Sequence, residues 1–509
     1  MKITIVGGGT AGWLSALYLL LKNKSSLYDI SLVESDDIPI VGAGEGSTFP
    51  FVEAIRSFIE NFDGFDEKEF IKECNVTHKL GIECRDWNSK GDRYFESLQQ
   101  SATWELPLDL HFALAEKYSE EASYATLNRI LWDKNLSAFK KNKKNNESDE
   151  GFGFAYHFDA YKVGEYFKKI ALKNGIKLIK GTVVNTNLNS NNGELKEIIL
   201  EDGKKIKSDF WIDCTGFKRV LINSVGGEWV SYSDYLPINS ALTYIYPFED
   251  DKIIQPSTLA WAMPNGWMWQ IPTTERYGCG YCYSDKFVSK DEALKEMEKV
   301  TNREIKPLRD IKFDSGRLKE VWIKNVMAIG LSSSFLEPLE ATSIHTAVVQ
   351  LKKFINYHLS PFKGNMRNKH NIKSLNENFN AIVDEFRDLI QLHYITKRQD
   401  TPFWKYVKNN LKRGDLLEHI LDVCKYKVPT PQDFPKFEGS AGWGVWSWVL
   451  AGNKLIPSKI IDNALKTFGV VEHANEIHTK MIVDYNINSL DYYNHTKFVK
   501  WVNYHKNKR

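Results

Sequence analysis

Glycines in the segment 7–12 (GGGTAG) have the G-x-G-x-x-G spacing that binds the phosphates of a dinucleotide. In such a segment Gly7 makes the tight turn, Gly9 lets backbone N–H groups approach a pyrophosphate, and Gly12 lets a helix pack closely on a strand. Glu34, which lies 22 residues after Gly12, is of the type that binds the ribose hydroxyls of an adenine dinucleotide. The alternative is a glycine turn that joins a strand to a helix and holds no ligand.

The segments around this turn have the patterns of the elements that must position it. Residues 2–6 (KITIV) are rich in β-branched side chains, which predicts a buried strand, and the apolar stretch 13–21 predicts a helix. The N-terminus of that helix would offer positive potential to phosphates. A second predicted strand, 30–33, ends at Glu34. Strand, turn, helix and acidic residue therefore occur together in the order that a dinucleotide site requires.

Further segments fit the same lobe. The glycine-rich segment 41–48 (VGAGEGST) either lays more backbone against a cofactor or forms a flexible turn, and we favour cofactor contact. Buried strands are predicted over 209–216 and 325–330, and both are expected to join the first sheet. Beyond Ser343 the pattern is mainly helical. We therefore expect two domains, 1–345 and 346–509.

Composition excludes several classes of protein. A chain of 509 residues is too long for one ordinary core, and its net charge of +2 gives no electrostatic case for binding nucleic acid or a membrane surface. Six cysteines in this length do not make a disulfide scaffold. No apolar run reaches membrane-spanning length, and Met1 lies one residue before the first strand, which leaves no room for a signal peptide. We expect a cytoplasmic protein without a metal site.

The stretch 266–272 (GWMWQIP) matches the W-x-W-x-I-P signature of the flavin-dependent tryptophan-halogenase family, although an aromatic strand stopped by a proline would look the same. Other segments resemble that family in the same order along the chain: 41–50, 77–87, 155–160, 213–217, 335–343 and 398–404. Together they extend the resemblance from Lys2 to about Pro457. Chance agreement at seven ordered places is remote.

The resemblance implies an α/β fold, in which an FAD-binding, Rossmann-like lobe of the GR2 type with mixed sheets is joined to a mainly helical C-terminal substrate lobe. It implies FAD, used as FADH2, which with oxygen and a halide ion (chloride, bromide or iodide) gives hypohalous acid. The oxidant would pass to Lys79 for electrophilic halogenation of an electron-rich aromatic compound, with Glu340 as the partner acid. A separate NADH-dependent flavin reductase would supply the FADH2.

The resemblance also assigns roles to individual residues. Thr342 and Ser343, at the start of an apolar helix, would hold the halide, and Trp267 and Trp269 would stand between flavin and substrate. Cofactor contacts are expected from Gly7, Gly9, Thr10, Ala11, Gly12, Glu34, Val41, Gly44, Glu45, Val183 and Leu331.

The residue chemistry agrees with these roles. An ammonium group can bind or react with hypohalous acid, and Lys79 has the apolar neighbours Val76, Leu80 and Ile82, which make its pKa open to perturbation. A carboxylate beside it can polarise the oxidant and take the proton that leaves the ring. Glu337 competes with Glu340 for that role, and the sequence does not separate them.

The residues that would bind the substrate are less clear from the sequence. Glu438 and Trp443 are candidates to hold an amino group and an aromatic ring, but the cluster Trp443, Trp446 and Trp448 has equally the spacing of helix packing. The substrate is expected to be a small indole or phenol-like aromatic compound. Whether the protein forms a homo-oligomer is left open.

Three other functions share parts of this pattern. The first alternative is an FAD-dependent aromatic monooxygenase (a hydroxylase), which usually has a Gly-Asp pair where this chain has Gly330-Leu331. The second is a flavin-binding protein without activity, and the third is an NAD(P)-linked oxidoreductase. Dependence of the product on halide separates the first from a halogenase, and hydride transfer without oxygen identifies the third.

Overall fold

The computed structural model describes seven stretches of the chain: residues 1–23, 25–36, 45–99, 108–141, 153–249, 252–436 and 438–506. Val41 and Gly44, two of the expected cofactor contacts, lie outside these stretches.

A six-stranded central sheet carries the glycine turn. Its strand Lys2–Val6 pairs in parallel with Asp29–Glu34 on one side and with Phe210–Asp213 on the other. Ile3 and Ile5 are fully buried, because both faces of this strand are covered. The strands lie in the spatial order Trp322–Ile323, Val326–Ala328, Phe210–Asp213, Lys2–Val6, Asp29–Glu34, Lys177–Lys180. The predicted strands around residues 209–216 and 325–330 therefore do join the first sheet.

A seven-stranded sheet stands beside the central one and carries the tryptophan pair. It is mixed, since Ser257–Met263 runs parallel to Gly81–Arg85 whereas the other neighbours are antiparallel. Its spatial order is Arg309–Lys312, Ser240–Pro247, Arg276–Tyr283, Gly266–Pro272, Ser257–Met263, Gly81–Arg85, Arg93–Ser97.

The remaining described strands form smaller sheets. A three-stranded sheet, Glu45–Gly46, Ala155–Phe158 and Thr77–Lys79, holds the lysine segment. The other strands are Leu136–Lys140 with Tyr492–Asn494; Val183–Leu188, Leu195–Leu200 and Lys205–Lys207; and Trp229–Ser231, Gly316–Leu318 and Ser334–Phe335.

Helices cover the sheets and fill the C-terminal part. Those before residue 342 are Thr10–Lys22, Phe49–Asn61, Glu67–Glu73, Leu108–Ser119, Leu127–Asp133, Ala160–Lys173, Val220–Ser224 and Lys290–Thr301. Those that follow are Thr342–Lys353, Lys363–Met366, Lys369–His393, Pro402–Asn410, Asp415–Val423, Gly442–Gly452, Ser458–Thr467, Ala474–Ser489 and His495–Lys506. Short 3₁₀ turns occur at Ala122–Ala125, Gly216–Lys218, Gly330–Ser332, Pro338–Glu340 and Pro431–Asp433, and a π-helical turn at Phe354–His358.

The α/β class and the helical C-terminal region predicted from the sequence are confirmed. The boundary between residues 345 and 346 stays a prediction; it falls inside the helix Thr342–Lys353, and one continuous core includes buried residues from both sides of it. Among the described helices, none combines the length and the apolar composition needed to cross a bilayer.

Candidate active site

A cavity of about 910 Å³ lies against the glycine turn and the seven-stranded sheet. That volume is at the upper end of the range for small-molecule and cofactor sites. Its wall includes the expected cofactor contacts Gly7, Gly9, Thr10, Ala11, Glu34, Glu45, Val183 and Leu331. Lys79, Trp269 and Ser343 also line it. Residues separated widely in the sequence thus share one cavity.

The glycine turn leaves room for a ligand at one position only. Gly7 has φ +119°, which strongly favours glycine, and a Cβ on Gly12 would lie 1.9 Å from the carbonyl oxygen of Gly7. By contrast, a Cβ on Gly9 would meet no protein atom within 4 Å. Gly9 precedes the helix Thr10–Lys22, whose first N–H groups have no partner within the helix. The turn therefore offers open space and backbone donors where a pyrophosphate would lie.

This difference predicts the effect of Gly9→Ala. The backbone of Gly9 has φ −75°, which alanine adopts without strain, so we expect the melting temperature to be unchanged. FAD affinity should nevertheless fall by about tenfold, or roughly 1.4 kcal/mol, because the new methyl group occupies ligand space. Titration of the apoprotein with FAD measures the affinity, and thermal unfolding without FAD is the control. Unchanged affinity would contradict placing the pyrophosphate at Gly9.

Glu34 is buried at the edge of the cavity and held by two lysines. The ammonium groups of Lys168 and Lys180 donate to its Oε2 over 2.7 and 2.8 Å. Burial would raise the pKa of Glu34, but these hydrogen bonds outweigh it, and the pKa lies below its usual value. The carboxylate is therefore ionised, the state in which it can accept hydrogen bonds from hydroxyl groups.

Lys79 ends the short strand Thr77–Lys79, at the point where the chain enters the seven-stranded sheet. It is 1% exposed, and its Nζ donates to the carbonyl oxygen of Ser47 over 3.4 Å. Burial lowers the pKa of Lys79, while the carboxyl groups of Glu340 and Glu96 oppose that shift. A lysine in this setting is more easily deprotonated than one at the surface.

Glu340 ends the 3₁₀ turn Pro338–Glu340 and lies in a buried polar cluster with Lys79. The Nε2 of His393 is 2.5 Å from Glu340 Oε1. Burial alone would raise the pKa of Glu340, but the hydrogen bond and charge of His393, together with Lys79 and Glu96, lower it. Glu340 is therefore an ionised carboxylate that acts on the Lys79 ammonium.

Glu337 has a different set of contacts. Its Oε2 accepts hydrogen bonds from Trp267 Nε1 at 2.9 Å and from the Tyr394 hydroxyl at 2.5 Å. Burial outweighs these bonds and raises the pKa of Glu337 to about 7. Glu337 is thus hydrogen-bonded to Trp267 and to Tyr394, which follows the helix Lys369–His393, whereas Glu340 interacts with Lys79. These contacts favour Glu340 as the acid beside the lysine.

Of the tryptophan pair, Trp269 lines the cavity and Trp267 does not. Trp267 and Trp269 project from the same face of the strand Gly266–Pro272, with ring centroids 6.1 Å apart. Trp269 lines the cavity, and a Cβ on Gly280, its partner across the ladder, would lie 2.1 Å from its ring. Glycine at position 280 therefore lets this indole lie flat on the neighbouring strand.

The helix Thr342–Lys353 begins two residues after Glu340. Ala341 precedes the helix in a left-handed conformation, φ 53°, and Ser343 and Ile344 in the first turn of the helix line the cavity. The Oγ1 of Thr342 is buried without a hydrogen-bond partner among the described residues. Free backbone and hydroxyl donors at a helix N-terminus suit a small anion.

Comparison with known proteins decides the family. The family model described as tryptophan halogenase matches residues 2–467. The chain belongs to the tryptophan halogenase family. It is 31% identical over 493 residues to the tryptophan 7-halogenase RebH of Lentzea aerocolonigenes, covering 90% of each chain. It is 32% identical over 467 residues to the tryptophan 6-halogenase SttH of Streptomyces toxytricini, covering 86% of each.

Solved structures agree with this assignment. Xcc4156, a flavin-dependent halogenase from Xanthomonas campestris, superposes with a TM-score of 0.84 at 25% identity and covers 98% of both chains. The structure of the SttH enzyme gives a TM-score of 0.86 at 26% identity, over 98% of this chain and 99% of that one. This tryptophan-halogenase family member is therefore an enzyme of a flavin-dependent class.

Glu438 and Trp443, the two substrate contacts expected from the sequence, are not in the wall of the cavity that Lys79 lines. Glu438 is 39% exposed in its side chain and pairs with Lys352 at 3.2 Å. Trp443 is buried, its indole N–H donates to the carbonyl oxygen of Pro429, and its ring packs on Phe112. Neither residue lines the cavity. Their role in substrate binding stays a prediction.

Sequence reasoning missed three residues at the site: Lys168, Glu96 and His393. Lys168 follows Glu34 by more than 130 positions, and only the fold brings them together. Glu96 lies on the strand Arg93–Ser97, where alternation could have placed it on the same face as Tyr94. His393 ends an amphipathic helix and gives no sequence signal of its own.

The raised pKa of Glu337 predicts a pH dependence of stability in this halogenase-family chain. Because its pKa is about 7 when folded and 4.5 when unfolded, its contribution is fully present below pH 4.5 and is lost as the pH rises through 7. That contribution is roughly 3 kcal/mol. Glu337→Gln can accept both hydrogen bonds and does not titrate. As the pH rises from 4.5 to 8, we therefore expect the unfolding free energy of wild type to fall relative to that of the variant. Urea unfolding at several pH values measures this, and parallel curves would refute it.

Proposed function

We propose that this chain uses FADH2, oxygen and a halide ion to make hypohalous acid and halogenates an electron-rich aromatic carbon through Lys79 and Glu340. The observation that carries the proposal is the place of Lys79. It lines the cavity that begins at the glycine turn and also belongs to the buried cluster of Glu340. One lysine thus connects the candidate cofactor site to a candidate base.

The residues present fit FAD. Gly9 leaves open space at the start of a helix, the ionised Glu34 lines the same cavity, and the wall continues past Val183 and Leu331 to Trp269. In this proposal the turn and Thr10, Ala11 and Gly12 hold the pyrophosphate end. The remaining contacts would come from Glu45 and from Val41 and Gly44. Bound as FADH2, the cofactor supplies hypohalous acid in the presence of oxygen and halide.

Lys79 and Glu340 then act on the oxidant and the substrate. The Lys79 amino group binds the hypohalous acid, by hydrogen bonding or as an N–halogen species, and presents the halogen to one ring carbon. As the ring forms its bond to the halogen, the halogen–oxygen bond breaks, and the hydroxide leaves as water with a proton from the Lys79 ammonium. Where an N–halogen species has formed, water left at that earlier step and the halogen–nitrogen bond breaks instead. The C–H bond at the halogenated carbon then breaks and returns its electrons to the ring. The Glu340 carboxylate takes the proton. Its ionised state suits that role.

The halide would bind at the start of the helix Thr342–Lys353. The first backbone N–H groups of a helix have no acceptor within the helix. The Thr342 hydroxyl, which has no hydrogen-bond partner among the described residues, and the cavity-lining Ser343 add to them. Serine at position 343 restricts the backbone more than glycine would, which makes this position a candidate for halide preference.

The substrate in this proposal is a small indole or phenol-like compound, because electrophilic halogenation needs an electron-rich ring. Tryptophan is one such compound, and the relatives RebH and SttH are named for it. A separate NADH-dependent flavin reductase supplies FADH2. Glu438 and Trp443 stay candidates for substrate contact, and mutation of each with a change in KM would test them.

Trp269 and Trp267 should keep the substrate away from the cofactor. Replacing Trp269, which lines the cavity, with alanine removes that wall, so we expect hydroxylated product or released hydrogen peroxide to rise at the expense of halogenated product, by about tenfold in their ratio. Product mass and peroxide release measure it. Trp261→Ala, on the neighbouring strand, is a matched control, since that indole binds Asp86 and does not line the cavity. An unchanged ratio in Trp269→Ala would remove the barrier role.

The function is tested with purified protein, FAD, a flavin reductase, NADH and oxygen. Chloride, bromide and iodide are offered separately with a panel of indoles and phenols, and products are identified by mass. Halide-dependent halogenated product supports the proposal. Hydroxylated product that does not depend on halide would assign the chain to the aromatic monooxygenases.

A further inference from the structure

A buried hydrogen-bonded cluster surrounds Glu340 and extends beyond the two residues of the proposed mechanism. It brings together side chains from four elements: Lys79 from the strand Thr77–Lys79, Cys84 from Gly81–Arg85, Tyr94 and Glu96 from Arg93–Ser97, and His393 from the end of Lys369–His393. Every one of these side chains is at least nine-tenths buried. Polar groups buried this deeply are costly unless they bind one another.

His393 is fixed from both sides. Its Nε2 lies 2.5 Å from Glu340 Oε1 and 4.0 Å from Glu96 Oε2, and its Nδ1 lies 3.4 Å from the Tyr94 hydroxyl. If Tyr94 donates to Nδ1, the imidazole proton is on Nε2 and points to Glu340. In that tautomer the neutral ring donates to the carboxylate, as the charged ring also does.

Glu96 is the second group on Glu340. Its Oε2 is buried and accepts no hydrogen bond from any donor in the described part of the chain, yet its carboxyl lies within hydrogen-bonding reach of Glu340. Two carboxyl groups this close do not both ionise; they share one proton. Burial and the Glu340 charge raise the pKa of Glu96 well above its usual value, whereas that of Glu340 is lowered. The shared proton is therefore on Glu96.

We propose that Glu96 and His393 are positioning residues that each donate a hydrogen bond to Glu340, and so hold its carboxylate ionised and aimed at the reacting ring carbon. This inference rests on the proposed function and deepens it. Lys79, Glu96 and His393 face Glu340 directly. Cys84 faces Glu96 from the adjoining strand Gly81–Arg85, with Glu83 beyond it, and Tyr94 faces His393 from the strand of Glu96 itself. Losing either donor makes the carboxylate easier to protonate.

The same groups have a second reading as metal ligands. One donor atom each from Cys84, Glu96 and His393 lies within 4.8 Å of the others. A divalent ion there would lie beside the Lys79 ammonium, which also acts on Glu96 electrostatically. The hydrogen-bonded arrangement places no second positive charge beside the Lys79 ammonium, whereas a metal ion would. We therefore favour the hydrogen-bonded arrangement. Metal analysis of the purified protein distinguishes the two arrangements, and one zinc or other transition-metal ion per chain would overturn the proposal.

The test is a matched pair of variants at position 96. Leucine removes the donor, whereas glutamine keeps the shape and offers an amide N–H to Glu340. In Glu96→Leu we expect kcat for halogenation to fall about tenfold near neutral pH and the acidic limb of the kcat–pH profile to move up by about one unit. KM for the aromatic substrate, FAD affinity and the rate of hypohalous acid formation should stay as in wild type.

Rescue by the conservative variants separates positioning from packing. Glu96→Gln and His393→Gln should each recover most of the wild-type kcat and pH profile, whereas His393→Phe should resemble Glu96→Leu. If the glutamine variants behave as their apolar counterparts do, or if the profile of Glu96→Leu does not move, the positioning role is refuted.

An infrared measurement does not depend on turnover. The difference between wild type and Glu96→Gln at neutral pH should show a carboxylic-acid C=O band that only wild type contributes. A carboxylate band in its place would overturn the proposal even in an active enzyme. If wild type halogenates none of the substrates offered, the proposed function fails, while the band still reports whether Glu96 carries the proton.

Discussion

Lys79→Met should abolish halogenation while the protein still binds FAD and still makes hypohalous acid. Methionine keeps the length of the side chain and tolerates the apolar surroundings of a site that is 1% exposed. It removes the amino group that would hold the oxidant, and we expect kcat to fall by at least about 10³-fold, the upper part of the range for positioned catalytic groups. Product mass and kcat for the aromatic substrate measure this loss.

The controls for Lys79→Met separate chemistry from structure. Lys68→Met is the same change at an exposed lysine of the helix Glu67–Glu73, and it should leave kcat unchanged. FAD titration tests the cavity, and a chlorination probe in solution detects hypohalous acid that leaves the protein. Halogenated product at the wild-type rate from Lys79→Met would contradict the role of Lys79, and loss of FAD binding would show that the substitution damaged the cavity.

Glu340→Gln should reduce kcat by about 10²- to 10³-fold with little change in KM, because an amide cannot take the proton that leaves the ring. The amide oxygen can still accept the hydrogen bond from His393 Nε2, so the cluster keeps most of its contacts. The effect should be largest above the pKa of Glu340, where the wild-type carboxylate is ionised and acts as the base. Because that pKa is lowered, this range includes neutral pH.

Glu337→Gln is the matched comparison three residues earlier. Glu337 binds Trp267 and Tyr394, and glutamine can accept both hydrogen bonds, so this variant should keep most of the wild-type kcat. The two substitutions together decide which glutamate is the base. A large loss in Glu337→Gln with little loss in Glu340→Gln would reverse the assignment. Equal losses would mean that neither acts alone.

The two main variants interrupt successive steps and should be distinguishable. Lys79→Met stops the transfer of halogen to the ring, so the oxidant escapes, whereas Glu340→Gln slows the loss of the proton after transfer. Replacing the hydrogen at the halogenated carbon with deuterium should therefore reduce the turnover rate of Glu340→Gln more than that of wild type. The double variant Lys79→Met, Glu340→Gln should have the same kcat as Lys79→Met alone. The effects of two residues that act in successive steps of one reaction do not add.

Much of the architecture was predictable from local patterns. The β-branched strand Lys2–Val6, the glycine turn and the helix Thr10–Lys22 are determined by residue type and spacing over about twenty positions. The aromatic strand Gly266–Pro272 depends in the same way on residues that are close together in the chain. The helices Phe49–Asn61 and Glu67–Glu73 are separated by a segment that contains Gly64 at φ 82°.

The sequence by itself determined the dinucleotide-type turn, the α/β class and the candidate lysine, because each depends on neighbours in the chain or on short motifs. It did not separate Glu337 from Glu340, which lie three residues apart in one segment. Only the tertiary structure decided which partners each meets: Trp267 and Tyr394 for the first, His393 and Lys79 for the second. Those partners come from strands and a helix remote in the sequence. The charge state of a buried carboxyl depends on such partners and on burial, neither of which a local pattern encodes.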